Sequence, residues 1–343
     1  MRIGRAFLVA MAAAGCAQAA GDVGEDPTGA APSTIDEVQS AATIALPPRQ
    51  RLALVLDGRM VGWLDAASGG HASGEVLTVR VGADASTRKQ IGAVKYEDIS
   101  LTVGAGMAPD FYQWLQDTID HKQTSTSRRD GAVVTTDYQG NVISQMSFFR
   151  GLISQIGFPA LDASSKEPAQ LTVVVTPEMT RYERHAKGAP LSPLKRPRRW
   201  SVSDFSVTID GLDTTGVASV GPFVIKQDIV DFREGAGGGT QKLPGALEIP
   251  NLVVQLSDRK ADAWFDWFQS FVLDGDSGAN NEKTGLIHYL SPDLKEDLFT
   301  IELHGLGIFK LEPSSSSFTG DRPPTDEADM YCNDARLSSA PKN

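Results

Sequence analysis

Five histidines, His71, His121, His185, His288 and His304, are the side chains of this sequence best suited to bind a metal or move a proton near neutral pH. None stands in an H-x-x-x-H or H-E-x-x-H spacing, which would set two imidazoles on one helical face for zinc. His288 and His304 are spaced to meet across a hairpin, but two ligands do not close a four-coordinate site. The stretch "DGDSGANNE" at 274–282 opens like a calcium loop, with Asp274 and Asp276 in the first and third places. Its Gly278 arrives one place early, and Glu282 stands ninth where the bidentate ligand belongs twelfth. "EGAGGGTQKLPG" at 234–245 is rich in glycine but lacks the G-K-[ST] ending that grips phosphate, and reads as a hairpin tip. There is no G-x-S-x-G elbow, and Cys332 has no histidine near it in sequence. Nothing here asks for catalysis, a cofactor or a metal. The expectation is a protein that is not an enzyme.

The elements around these residues must then be the purpose of the chain. Its 343 residues are enough for two ordinary domains, and 41% hydrophobic with 22% charged residues describes a folded core. A net charge of −11 argues against a nucleic-acid binder, which needs an excess of lysine and arginine to neutralise phosphates. An acidic wall repels nucleic acid, and a non-adhesive conduit wants that quality.

"MRIGRAFLVAMAAAGCAQAA" places Arg2 and Arg5 ahead of an apolar run from Ala6 to Ala14, the layout of a signal peptide over residues 1–19. Two ways of processing it compete. "AAGC" makes Cys16 a candidate lipidation site, although Ala13 stands where Leu is usual, and "AQA" at Ala17 to Ala19 offers cleavage before Ala20. A Gly-, Pro- and acid-rich tether follows over 20–49. The expected location is the cell envelope if this leader functions, through a lipid anchor if Cys16 is modified, and otherwise a cytoplasmic particle.

One feature of the rest is repetition. "FYQWLQDT" at 111–118 and "WFDWFQSF" at 264–271 place Trp114 and Trp267 153 positions apart. Asp57-Gly58 and Asp210-Gly211 keep that offset, as do Asp98-Ile99 and Asn251-Leu252. Gly131 and Gly285 stand 154 apart, as do Gly151-Leu152 and Gly305-Leu306, so one residue is expected to be inserted in the loop after the helix. Three landmarks in one register point to a duplicated domain. The expected layout is a first copy over 50–184, a basic, Pro-rich linker over 185–200, a second copy over 201–337 and a tail over 338–343.

Each copy reads as strands, one helix, then a hairpin. Leu54 and Leu56, then Leu77, Val79 and Val81, alternate as strands with one buried face; Val207, Ile209, Ile225 and Ile229 are their equivalents. Gly140 in "DYQGN" supplies the positive φ of a tight hairpin turn. "LTVVVTP" at 171–177 closes the first copy, and "ADMYCND" at 328–334 the second. In the first helix Pro109 and Asp110 open the turn, and Phe111, Trp114, Leu115 and Thr118 or Ile119 form the stripe. In the second, Ser257 is the expected N-cap and Trp264, Trp267, Phe268 and Phe271 form the stripe. Both stripes are expected to cover a sheet. Phe265 and Val272 lie off the stripe and are apolar surface available to a neighbouring subunit.

The segment "KYEDISLTVGAGMAPDFYQWLQDTIDHK", the hairpin after Gly131 and "PALDASSKE" together resemble the phage tail tube family of contractile tails and related injection machines. "FSVTIDGLDTTG" and "KLPGALEIPNLVVQLS" resemble the opening strands of the same family. The resemblance implies a mainly β fold: two tandem tail-tube-like β-sandwich or barrel domains, each with one flanking α-helix. It implies self-association into stacked rings, with other tail or sheath components as partners and no chemistry. With two copies per chain, three chains would complete a pseudo-sixfold ring. The leader and the Ser/Pro-rich insertion at 313–324 depart from the family pattern. They leave open a second reading, an exported or lipid-anchored interaction module that reuses the fold.

Overall fold

The computed structural model describes residues 50–81, 86–120, 127–186, 191, 200–233, 240–313 and 324–339. The leader with Cys16, the tether, His121, nearly all of the basic linker, the tip at 234–239, the body of the Ser/Pro insertion and the end of the chain lie outside the described residues.

The N-terminal half runs β1 (Arg51–Leu56), β2 (Arg59–Leu64), β3 (Ala66–Gly69), β4 (Ala72–Val81), β5 (Ser86–Tyr96), β6 (Ile99–Val103), α1 (Pro109–Ile119), β7 (Arg129–Thr136), β8 (Val142–Phe158), β9 (Leu161–Asp162), β10 (Leu171–Thr176) and β11 (Met179–Glu183). The C-terminal half runs β12 (Phe205–Ile209), β13 (Val217–Val220), β14 (Phe223–Arg233), β15 (Thr240–Glu248), β16 (Leu252–Ser257), α2 (Asp262–Phe268), β17 (Lys283–Leu290), β18 (Asp297–Pro313) and β19 (Thr325–Ser339). A single 3₁₀ turn, Asp258–Lys260, precedes α2, and a π-helical turn, Gln269–Leu273, continues it.

The two halves share one topology. Neighbouring strands are ordered β1-β7-β8-β10-β6-β3 in the first and β12-β17-β18-β19-β16-β13 in the second, and β4-β5 and β14-β15 are matching antiparallel hairpins. Irregularities repeat as well. The β4-β5 ladder slips between Gly74 and Val76, and the β14-β15 ladder between Gln227 and Ile229, 153 positions further on. A bulge forces one extra residue into one strand and bends it, so a bulge kept at the same place marks equivalent geometry.

The change of offset has a structural location. In α1 the N–H of Asp120 donates to the carbonyl of Gln116 at 2.8 Å, an α-helical step. In the C-terminal half the N–H of Asp274 reaches the carbonyl of Gln269 at 2.9 Å, one residue further along. The additional residue therefore sits in the π turn, because a π turn is how a helix absorbs one inserted residue without turning its face. It is not in the following loop, as the sequence spacing implied. A second extra residue lies in the hairpin turn, five residues between β7 and β8 against six between β17 and β18. The ladders consequently set Lys283 against Leu306 where Arg129 meets Gly151, so Gly151 corresponds to Leu306 and not to Gly305.

The core forms where the stripes meet the sheets. Phe111, Trp114 and Leu115 are fully buried, as is Trp264; Trp267 and Phe271 are buried and Phe268 partly so. Trp114 stacks on Phe148 at 6.4 Å and donates from Nε1 to the Ser127 carbonyl at 2.8 Å. Trp264 takes over that donor role towards the Asp213 carbonyl, while Trp267 lies under the Lys283 ammonium. Asp57 and Gly58, both at positive φ, make the two-residue turn of β1-β2, and Gly140 turns β7-β8.

Two expectations need correction. Ser257 precedes the 3₁₀ turn and makes no side-chain cap; α2 starts after Ala261 instead. A 3₁₀ turn tightens the chain ahead of the helix and moves its first residue past the serine. Leu77 and Val79 are not on a buried face: they are 44% and 39% exposed, because β4 pairs with β5 alone and nothing among the described residues covers the hairpin.

Candidate functional site: the seam between the two halves

Side chains of both halves converge at a seam within the chain. Strand β14 does not stay with its own sheet. It pairs antiparallel with β8, Phe223 opposite Phe158 through Lys226 opposite Gln155, and so adds a strand to the N-terminal sheet. In return β9 pairs with β13, Leu161 opposite Val220. Edge strands expose unpaired N–H and C=O groups, and exchanging strands satisfies them on both sides.

An aromatic cluster fills the space behind these ladders. Phe158 lies 6.4, 6.1 and 6.2 Å from Phe223, Tyr289 and Phe299, and Tyr289 stacks on Phe299 at 4.3 Å. Trp200 meets Tyr289 and Phe299 edge-on, at 5.1 and 5.4 Å. From α1, Tyr112 comes within 6.0 Å of Phe299, and Gln116 Oε1 accepts the backbone N–H of Leu337 at 2.5 Å. Offset and edge-on rings of this kind add stabilisation beyond the area that they bury. The hairpin is latched further out: Arg128 donates to the Lys242 carbonyl at 2.7 Å, and the Lys242 N–H donates to Glu178 at 3.0 Å. Burial raises the phenol of Tyr289 far above its ordinary value and that of Tyr112 less, the latter held back by backbone hydrogen bonds from Gly106 and Met107. Both rings therefore stay neutral. The seam is a packed joint between the two halves.

The equivalent surfaces at the two outer ends of the chain are bare. Tyr112 and Ile119 of α1 are 8% and 3% exposed, whereas Phe265 and Val272, their counterparts on the C-terminal helix, are 43% and 39% exposed. Ile225 and Gln227 of β14 are buried, whereas Ala72 and Gly74 of β4 are exposed.

The other residues singled out in the sequence do not come together. His288 stands opposite Thr300 and His304 opposite Asp334, so the two imidazoles do not meet; each lies beside an acid instead, Asp297 and Glu302. Among the described residues no three His, Cys, Asp or Glu side chains gather as a metal site. Asp274 and Asp276 end the helix: Asp274 accepts from Gln269 and the Asp276 carbonyl accepts from Asn281. Burial pushes the Cys332 thiol up to about 11, and its sulfur lies against the carbonyls of His304 and Asp334. Sequence reasoning expected Phe265 and Val272 off the buried stripe, and both are exposed, but it missed Tyr112, Phe158 and Trp200. The signal available for Tyr112 was the one that marked Phe265, a large ring one step off the stripe.

Residues 51–179 match the sequence profile of a family described as T4-like virus tail tube protein gp19. A search of curated protein sequences gives no match. Among solved structures, the chain is similar to one from the sheath-tube complex of an extracellular contractile injection system (PVC) in its extended state, at 20% identity, covering 39% of this chain and 88% of that one with a TM-score of 0.30. It is similar to one from the sheath/tube terminator of such a system (PVC), at 20% identity over 44% of this chain and all of that one, TM-score 0.32. Hcp1 from Flavobacterium johnsoniae is similar at 13% identity over 40% of this chain and 98% of the other, TM-score 0.26. The matched residues, 51–179, run from β1 to the first residue of β11 in the N-terminal half of the chain.

Proposed function

We propose that the chain is a structural subunit of a phage-tail-like tube, that it arose by duplication of one tube domain, and that each chain supplies two adjacent positions of a ring wall. The observation that carries this reading is the seam, where β14 of one half extends the sheet of the other through β8. A domain that continues its neighbour's sheet, and repeats the same topology, generates a wall by repetition. The contact is heterologous, one surface meeting a different one, and such contacts close into rings when the rotation between units allows it. Three chains make six positions. The net charge of −11 suits a conduit that does not retain nucleic acid. Other tail or sheath components are the expected neighbours above, below and outside the ring.

Particle imaging and native mass measurement of the purified full chain test the proposal. Rings containing three chains are expected, and a strictly monomeric protein at high concentration overturns it. The leader favours a second reading, an exported or lipid-anchored module built on the same fold. A diacylglyceryl group on Cys16 in protein from its native host, with no polymer, would establish that alternative.

A further inference from the structure

We infer that the bare face of α2 on one chain docks into a cavity on the N-terminal half of the next chain, in the manner of the seam. This rests on the ring reading above and adds to it the two surfaces that meet.

The cavity has a volume of about 440 Å³ and is lined by Leu52, Val133, Thr135, Ser144, Met146 and Tyr182, among others. Each of these six has a counterpart fixed by the strand registers. Leu52 opposite Thr135 in the N-terminal half corresponds to Phe205 opposite Tyr289, and Leu54 opposite Val133 to Val207 opposite Ile287. Ser144 opposite Thr135 corresponds to Phe299 opposite Tyr289, and Tyr182 opposite Met146 to Leu337 opposite Ile301. Phe205, Ile287, Tyr289, Phe299, Ile301 and Leu337 thus stand where the cavity lining stands. Three of them, Tyr289, Phe299 and Leu337, directly receive Tyr112, Phe158, Trp200 and Gln116 at the seam. The receiving surface is occupied in one half and vacant in the other.

The inserting surface is duplicated too. Phe265 stands where Tyr112 does, Val272 where Ile119 does, and Gln269 where Gln116 does. Even the internal tie recurs, since Gln116 binds Asp120 and Gln269 binds Asp274. Size is exchanged across the joint. At the seam aromatic residues receive, whereas the vacant cavity offers Ser144 and Thr135 and has room for the Phe265 ring. Transferred to the next chain, the seam contacts place Phe265 beside Ser144 and Gln269 Oε1 on the N–H of Tyr182. Val272 then stands near Val94 of the β4-β5 hairpin, as Ile119 and Leu247 line one pocket beside the end of α1. Val94 is exposed in the chain, as a residue awaiting such a neighbour must be. The occupant is a second copy because the surface that fills the equivalent site at the seam, the face of α1 with Tyr112 and Gln116, has its exposed counterpart on α2 of the same chain.

Two measurements on the full chain test the joint. Phe265→Asp places a charge on a surface that is bare in the single chain, so thermal unfolding of the single chain is expected to be unchanged while the assembled fraction falls at least tenfold. Assembly of this variant at the parent's concentration overturns the inference and leaves the tube reading standing. A parent that never assembles overturns both. Cross-linking provides the second measurement, which holds whatever Phe265→Asp does to folding. Gln269→Cys and Tyr182→Cys chains, each also carrying Cys16→Ser and Cys332→Ser, are mixed and treated with a short bis-maleimide. Cross-linked pairs from the mixture, and none from either chain alone, are expected. With both substitutions in one chain the ladder is expected to end at three. A ladder that continues past three sustains the joint and overturns the three-chain ring, and no cross-linking in the mixture overturns the joint.

Discussion

Gln116 of the first helix accepts the backbone N–H of Leu337, 221 residues away, at 2.5 Å. Leu337 is buried, so this N–H has little access to water once the carboxamide is removed. A buried donor left unpaired costs about 1–3 kcal/mol. Gln116→Ala is therefore expected to lower the stability of the chain by that amount, measured by chemical denaturation, and Gln116→Glu, which keeps an acceptor, to recover much of it. A neutral Gln116→Ala would mean that this hydrogen bond adds nothing to the joint already made by the ladders and the aromatic cluster.

Tyr112 and Phe265 occupy equivalent positions in opposite surroundings. Removing a buried aromatic ring costs about 3–5 kcal/mol, the lost transfer energy plus the cavity left behind. Tyr112→Ala is expected to cost about 3 kcal/mol in dilute, unassembled protein. An exposed position changes stability by about 0.5 kcal/mol at most. Phe265→Ala is expected to fall in that range, and equal losses at the two sites would remove the contrast between seam and open end.

Asp326 is buried on β19, and desolvation together with the charge of Asp258 raises its pKa. The native state then binds a proton more tightly than the unfolded chain does. Stability from this group is accordingly present at acid pH and is lost as pH rises through its folded pKa. Asp326→Asn cannot ionise and is expected to be more stable than the parent at neutral pH, with the difference closing towards pH 3. Parallel denaturation curves at the two pH values check the sign.

The Cys332 thiol, held at about 11 by burial, is almost entirely protonated at pH 8. The thiolate is the nucleophile, and a free cysteine has a pKa of about 8.5. Alkylation of Cys332 in the folded chain at pH 8 is expected to be at least a hundredfold slower than in denaturant. Mass mapping after timed labelling reads this directly. Rapid native labelling would place the sulfur nearer to water than its contacts with the His304 and Asp334 carbonyls allow.

Much of the fold was legible because local physics writes it. The stripes through Trp114 and Trp264 have helical period, the strands alternate, and Asp57-Gly58 and Gly140 carry turn chemistry. The seam was not legible, because β4 and β14 read alike as strands while one lies open and the other crosses to β8. Which edge a strand joins depends on partners that are distant in sequence, and Phe223 meets Phe158 across 65 positions. Leu77 and Val79 show the same limit from the other side, an apolar face that nothing among the described residues covers. The π turn escaped notice because one extra residue changes the spacing without naming its location between Gln269 and Asp274.

The β4-β5 hairpin carries Arg80, Arg88, Lys89 and Lys95 against Glu75. In the seam, Lys242 of the matching hairpin lies against Arg128 and Glu178. Lys89 is the counterpart of Lys242, and Glu282, held by Tyr331 and Asn333, is the counterpart of Arg128. Docking of one chain on the next therefore brings Lys89 towards Glu282, opposite charges where the seam has a cation. Exposed charges interact over a screening length of about 10 Å at 0.1 M salt and about 3 Å at 1 M. Association between chains is expected to weaken with added salt, while unfolding of the single chain changes little. Lys89→Glu should weaken assembly at low salt, and Glu282→Lys in the same chain should restore part of it. Sedimentation velocity across a salt series measures both, and assembly that strengthens with salt would show the joint to be held by apolar contact alone.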